Sequence, residues 1–167
     1  MQAANLSARQ SDWLPHPIHA VPLEVGRCAR SWTWDGRAPD TNLFRALDPR
    51  GFVRVQSAIA AGDGSEPEPD LAVVEPVDHR QGHPSHAHLI VEVAESSLDG
   101  VREVKSRVYG AMGVPEYWIA NLVEGCVEVH TEPTSTGYGR AVLVGRGSRI
   151  QVVQFPDVEI AVDDILP

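Results

Sequence analysis

An α/β fold built on a mixed sheet is what this sequence predicts, and three observations carry the prediction. Two short apolar runs, Leu71-Ala72-Val73-Val74 and Leu89-Ile90-Val91-Glu92-Val93-Ala94, read as strands buried on both faces. A helical pattern follows the second run and ends near Met112. Beyond it come further strand-like runs split by Gly, Pro and Asp. The order strand, strand, helix, strands fits an α/β sandwich with a mixed sheet and not a doubly wound parallel fold.

The first third gives the weakest signal. Met1 to Pro39 sustains no helix or strand period and carries Pro15, Pro17, Pro22 and Pro39 with Trp13, Trp32 and Trp34. An irregular or weakly ordered arm is expected there, with a single domain from Asp40 to Pro167. Thr41 to Leu47 is expected to be a short helix, with Asp40 or Thr41 as its cap. Asp48-Pro49-Arg50-Gly51 is a turn signal, and Phe52, Val53 and Val55 read as a strand ending near Ser57. The loop Gly62 to Pro69 delivers Asp70 to the start of the next strand. A second loop, Glu75 to Ser85, is rich in Pro, Gly and His, and Ala87 to Ala94 follows as a strand. Ser96, Ser97 and Asp99 are cap candidates for the helix, Gly113 suits its C-terminal end, and Pro115 bars its continuation. Tyr117 to Asn121, Val127 to His130, Ala141 to Val144, Ile150 to Val153 and Val158 to Ile160 complete the strands.

Composition bounds the function. The chain has 167 residues, is 43% apolar, and carries a formal charge of −9. It is long enough for one real core. That charge argues against tight non-specific binding to nucleic acid but leaves room for a nuclease, since local arginines, a metal or a dimer can supply a positive groove. No run reaches the length of a membrane span. The polar start, Met1 to Asp12, lacks the apolar middle of a secretion signal, so a cytoplasmic protein is expected. Cys28 and Cys126 are expected to be free thiols and not a disulfide or zinc pair.

Glu92 carries the chemical argument. An ionised carboxylate inside an apolar strand is costly unless something answers it. Asp70 opens the neighbouring apolar run. At about 100° per residue, Val101, Val104, Val108, Ala111 and Met112 share one helical arc, and Lys105 lies inside it with Tyr109 on its flank. The plain readings are a turn aspartate, a structural salt bridge and a snorkelling lysine. Taken together, the three residues suggest a metal-dependent phosphodiesterase site. Two carboxylates about 4 Å apart repel by roughly 4 kcal/mol at an effective dielectric near 20, and a divalent cation reverses that sign. An oxygen-rich site with few protein ligands suits Mg²⁺. His79, His83, His86 and His88 offer a rival transition-metal site, with His86 and His88 on one strand face, though their spacing matches no zinc pattern and solvated loop histidines are the plainer reading. Glu68 and Glu95 could assist the acid pair, and Glu66 is read as a loop carboxylate. Ser96 and Ser97 lack His–Asp partners at convincing spacing, and no phosphate loop or dinucleotide fingerprint is present.

The segments Glu66-Pro67-Glu68-Pro69-Asp70-Leu71-Ala72-Val73-Val74 and Leu89-Ile90-Val91-Glu92-Val93-Ala94-Glu95-Ser96-Ser97-Leu98, then Lys105 with Tyr109, then Gly113-Val114-Pro115-Glu116-Tyr117-Trp118-Ile119, resemble the Uma-two family. That family is a bacterial branch of the PD-(D/E)XK nuclease superfamily. The resemblance runs from about Asn42 to the C-terminus. It implies a restriction-endonuclease-like mixed β-sheet core flanked by helices, and a Mg²⁺-dependent DNA endonuclease, with Mn²⁺ as a substitute metal. By that resemblance Asp70 is the motif aspartate and Glu92 the motif acid, and with the Val93 carbonyl they would hold the metal. The lysine usually found two residues after the acid is replaced by Ala94, and Lys105 takes its role from the helix. Lys105 would position the attacking water, stabilise the phosphorane or, desolvated, act as base. Arg102 and Tyr109 would touch the phosphate or merely pack. Two departures stand out. Val101 occupies a position where the family commonly has an aspartate. Met1 to Pro39 does not match the family's opening segment, and Glu24 is the nearest candidate for its early acid. A catalytically degenerate member acting as a binding or structural module is therefore the alternative. A homodimer is a further expectation, since many nucleases cut duplexes in pairs.

Overall fold

The computed structural model describes residues 39–167 apart from positions 49, 63, 78–81 and 96–100. The arm expected before Pro39, with Cys28 and Glu24, lies outside the described residues, as do His79 and the cap candidates Ser96, Ser97 and Asp99.

The helix α1 spans Pro39–Leu47. It starts earlier than Thr41, at a proline whose missing N–H costs nothing in a first turn. Asp40 and Thr41 are therefore helical and not caps. A turn follows, in which the Arg50 and Gly51 N–H groups both donate to the Leu47 carbonyl. Gly51 must lack a side chain, because a Cβ there would lie 2.8 Å from Val73 Cγ1.

Six strands form one sheet in the order β1 to β6: β1 (Phe52–Val55), β2 (Leu71–Val74), β3 (Leu89–Ala94), β4 (Glu116–Asn121), β5 (Cys126–Thr134) and β6 (Gly137–Gly145). All neighbours are antiparallel except β3 and β4, which run parallel. The mixed sheet is therefore as the sequence predicts. Parallel pairing forces a crossover, and the helical segment between β3 and β4 supplies it. β7 (Arg149–Val152) and β8 (Phe155–Ala161) form a separate hairpin, followed by a 3₁₀ turn at Val162–Asp164.

The sheet is covered on both faces, so β2 and β3 show no polar alternation. On one face Leu71, Val73, Leu89, Val91 and Trp118 pack against α1, the β7–β8 hairpin and the C-terminal Ile165 and Leu166. On the other, Ala72, Val74, Ile90, Ala94, Tyr117 and Ile119 pack with Ile59, Tyr109 and Val114. Burying each Val, Leu or Ile side chain there contributes about 1.5–3 kcal/mol.

The crossover element differs from the expected regular helix. Among its described residues, Val101–Lys105 is a π-helical turn and Ser106–Ala111, here α2, is α-helical. A π turn takes more residues per revolution, which rotates the face presented to the sheet. Val104 is 62% exposed, and Ala111 is also exposed. Ser106 and Gly110, which the even-pitch arc sends outward, are buried. Gly110 meets the sheet backbone directly: a Cβ there would be 2.1 Å from the Gly137 carbonyl oxygen. Lys105 and Tyr109 remain on the sheet side. α2 ends as expected: Gly113 has φ +73, its N–H donates to Gly110, and the Val114 N–H donates to Tyr109. That is a Schellman closure.

Candidate active site

Leu71 pairs with Val91 and Ala72 with Ile90. Continued by one residue, this register sets Asp70 opposite Glu92. Asp70 makes the link through its side chain, with Oδ2 accepting the Val93 N–H at 2.9 Å. The Ala94 carbonyl accepts from Leu122 on the β4 side. Strand alternation therefore turns the N–H and carbonyl of Val93 toward the opposite edge, beside Asp70.

Glu92 is 4% exposed. Its Oε1 receives two hydrogen bonds, from Lys105 Nζ at 2.6 Å and from the Tyr109 hydroxyl at 2.6 Å. Lys105 and Tyr109 are four residues apart, one turn of helix, so both reach the same strand residue. Both hydrogen bonds to the Glu92 carboxylate from the described residues end on Oε1. Burial raises the Glu92 carboxyl above the ordinary carboxylate range, opposed by the bonds from Lys105 and Tyr109, while the charge of Asp70 adds to the rise. The Tyr109 hydroxyl is raised by burial and by Glu92, so it stays protonated and donates. The structure thus brings Asp70, Glu92, Val93, Lys105 and Tyr109 together.

The donors suit a hard cation. Two carboxylates and a backbone carbonyl would make an all-oxygen set of low count, of the kind that Mg²⁺ completes with water. The described residues hold no group of three or more His, Cys, Asp or Glu side chains placed for a metal. His86 and His88 precede β3 and do not share a strand face: His86 Nδ1 lies 2.9 Å from Ser85 Oγ, and His88 turns its ring edge-on to Phe155. Glu66, Glu68 and Glu95 are exposed.

Arg102 reaches a different acid. Its Nε donates to Glu128 Oε2 at 2.9 Å, and Asn121 Nδ2 donates to Glu128 Oε1 at 3.0 Å. Despite burial, which pushes the other way, the Arg102 and Asn121 bonds lower the Glu128 carboxyl. Glu92 and Glu128 both flank Ile119 in the sheet, which sets them roughly 10 Å apart. The π turn is thus fastened at each end, Arg102 to β5 and Lys105 to β3. The Tyr117 hydroxyl adds a bond to the Val101 carbonyl at 3.2 Å.

A family model described as "Uma2: Putative restriction endonuclease" matches residues 37–163. The chain belongs to the Uma2 family. No curated protein matches it. A crystal structure described as "a putative nuclease belonging to DUF820 from Anabaena variabilis ATCC 29413" is similar, with a TM-score of 0.58 and 12% identity over 75% of this chain and 74% of that one. At that identity the likeness speaks for the fold, which is restriction-endonuclease-like. No helix among the described residues is long and apolar enough to cross a membrane.

Two features of this Uma2 chain bear on its site. Ala94, where the superfamily usually has its lysine, is buried in the core beside Tyr109. Val101, where the family commonly has an aspartate, packs against the same core and offers its carbonyl to Tyr117. Other residues escaped the sequence reading. Glu128 and Asn121 lie on strands read only as apolar runs. Glu116 is fully buried; its Oε1 accepts the Trp118 indole N–H and its Oε2 the Val153 N–H, each at 2.8 Å. An acid alternating with Trp118 and Ala120 on one strand face was its available signal.

Proposed function

We propose that this protein is a Mg²⁺-dependent endonuclease that hydrolyses phosphodiesters of DNA. The observation that supports this best is the convergence of Asp70, Glu92 and Lys105, two strands and a helix apart, on one point of the sheet. A purely structural salt bridge needs only Glu92 and Lys105, and does not require a second carboxylate, Asp70, opposite Glu92. Asp70, Glu92 and the Val93 carbonyl would hold the metal, with Mn²⁺ as a substitute. Bound there, it would polarise the scissile phosphate and lower the pKa of a water. The Lys105 ammonium would orient that water or meet the charge that builds on the phosphate oxygens. Tyr109 would keep Glu92 in the rotamer that turns its second oxygen away from the helix.

The test is nicking of supercoiled plasmid with Mg²⁺ or Mn²⁺. Wild type is expected to nick, and Glu92→Gln and Lys105→Ala each to lose at least about a hundredfold in rate while staying folded. Equal nicking by a folded Glu92→Gln protein would sink the proposal. Val101 favours a second reading, a nuclease fold that binds without cutting. A wild type that binds metal through Asp70 and Glu92 yet nicks nothing would select it.

A further inference from the structure

Arg54 lies on β1, the outer strand beside β2. Its cross-strand partner is Ala72, which packs into the core beneath α2. Arg54 therefore leaves the sheet on the face that carries Glu92. Its Nη2 donates to Ser57 Oγ, so the guanidinium leans along the chain toward the Asp70 end of the sheet. There the Gln56 N–H donates to the Asp70 carbonyl at 2.9 Å.

Among the described residues no Asp or Glu makes an ion pair with this cation. The ion pairs of the described residues engage Arg50, Arg102, Lys105, Arg107, Arg146 and Arg149, but not Arg54. The deficit is not for want of acids, since the chain has 23 Asp and Glu against 14 Lys and Arg. Arg54 Nε is also buried with no hydrogen-bond partner, and desolvation lowers the guanidinium pKa. A buried donor left unmade is a local cost that this part of the fold tolerates. Beside it Gln56 holds φ +42, a left-handed conformation that side chains with a Cβ avoid. An arginine without an ion pair among the described residues and a strained residue thus stand two positions apart, where the chain bonds to Asp70; such local cost motivates a functional hypothesis.

We infer that Arg54 is a phosphate-binding residue, whose guanidinium fork takes the non-bridging oxygens of a backbone phosphate on the nucleic-acid strand lying over Asp70 and Glu92. The planar fork matches phosphate in a way an ammonium does not. This assignment rests on the nuclease reading and adds to it a subsite on β1, on the opposite side of Asp70 from Lys105.

The test is binding of the full chain to a duplex oligonucleotide in Ca²⁺ across a salt series, for wild type, Arg54→Gln and Arg54→Lys. The Arg54 Nε resonance, assigned by its loss in Arg54→Lys, is followed in the wild type through the same titration. Arg54→Gln is expected to bind roughly tenfold more weakly, with a salt slope shallower by about 0.9. Arg54→Lys should keep the slope but not the full affinity, and the Nε signal should move on titration. If Arg54→Gln fails to fold, the Nε signal and Arg54→Lys decide. A wild type that binds and nicks, with an unmoved Nε signal and no change of affinity in the folded variants, overturns the Arg54 assignment alone. A wild type that neither binds nor nicks overturns both readings.

Discussion

Glu92 shows how a buried acid is kept usable. Burial favours its neutral form, and two donors on one oxygen pull it back toward the anion. Metal binding needs the anion, so affinity for Mg²⁺ should rise with pH through the raised Glu92 value and not through an ordinary carboxylate value of about 4.3. Tyr109→Phe removes one of the donors. It should shift that rise to higher pH and slow nicking by about tenfold or more, which metal titrations and pH–rate profiles of the two proteins would check. An unshifted curve would mean that Tyr109 only packs. Glu116 follows the same sign with another use. Its carboxyl is also raised by burial, over the opposing bonds from Val153 and Trp118. Its contribution to stability is fully present below the unfolded pKa and fades as pH rises through the folded one. Even so, Glu116→Gln should destabilise by about 1–3 kcal/mol in urea unfolding, because an amide must turn its NH₂ toward one of two existing donors.

At the scale of elements, the crossover is where sequence reasoning both succeeded and slipped. Lys105 lay on the sheet side as the arc implied. Val104 and Ala111 did not, because an arc drawn at constant pitch cannot register a π turn. The periodicity of this short segment contains no mark of it: Arg102 and Lys105 are held by Glu128 and Glu92, partners distant in the chain. β2 and β3 were legible because buried strands announce themselves as apolar runs, and the end of α2 because Gly113 and Pro115 leave little choice. The corrected rotation makes a paired prediction. Val104→Glu should change stability by less than about 0.5 kcal/mol. Gly110→Ala should cost on the order of 1–3 kcal/mol or more by forcing α2 off the Gly137 backbone. Thermal melts of both variants check it, and an exchange of those effects would restore the even-pitch helix.

For the molecule as a whole, the sheet separates two kinds of work. One face is held by the hairpin, α1 and Trp118, with Glu116 tying the hairpin's turn to β4. The other carries Asp70, Glu92, Glu128 and, on the edge strand, Arg54. The acids of the site were legible because each stands against an apolar background. Arg54, Glu128 and Asn121 were not, because their significance lies in which strand comes to rest beside which. A net charge of −9 then sets a condition on the proposed working face: a nucleic-acid strand lying there would depend on the cations near it, Arg54, Arg102 and Lys105.

The π turn and α2 are short, and they carry Lys105, which we propose does from a helix the work of a strand lysine. Moving a positive charge from a strand to a helix changes what kind of object the site is. Acid and lysine on one strand are a fixed pair for as long as the sheet exists. Here they belong to elements of unequal durability: a strand at the centre of the core, and a brief helix fastened by two ion pairs and two tyrosines. Short elements with few anchors open at less cost than the global fold. If these residues form the proposed centre, its completeness is an equilibrium of its own, expected to be lost while the sheet beneath stays whole.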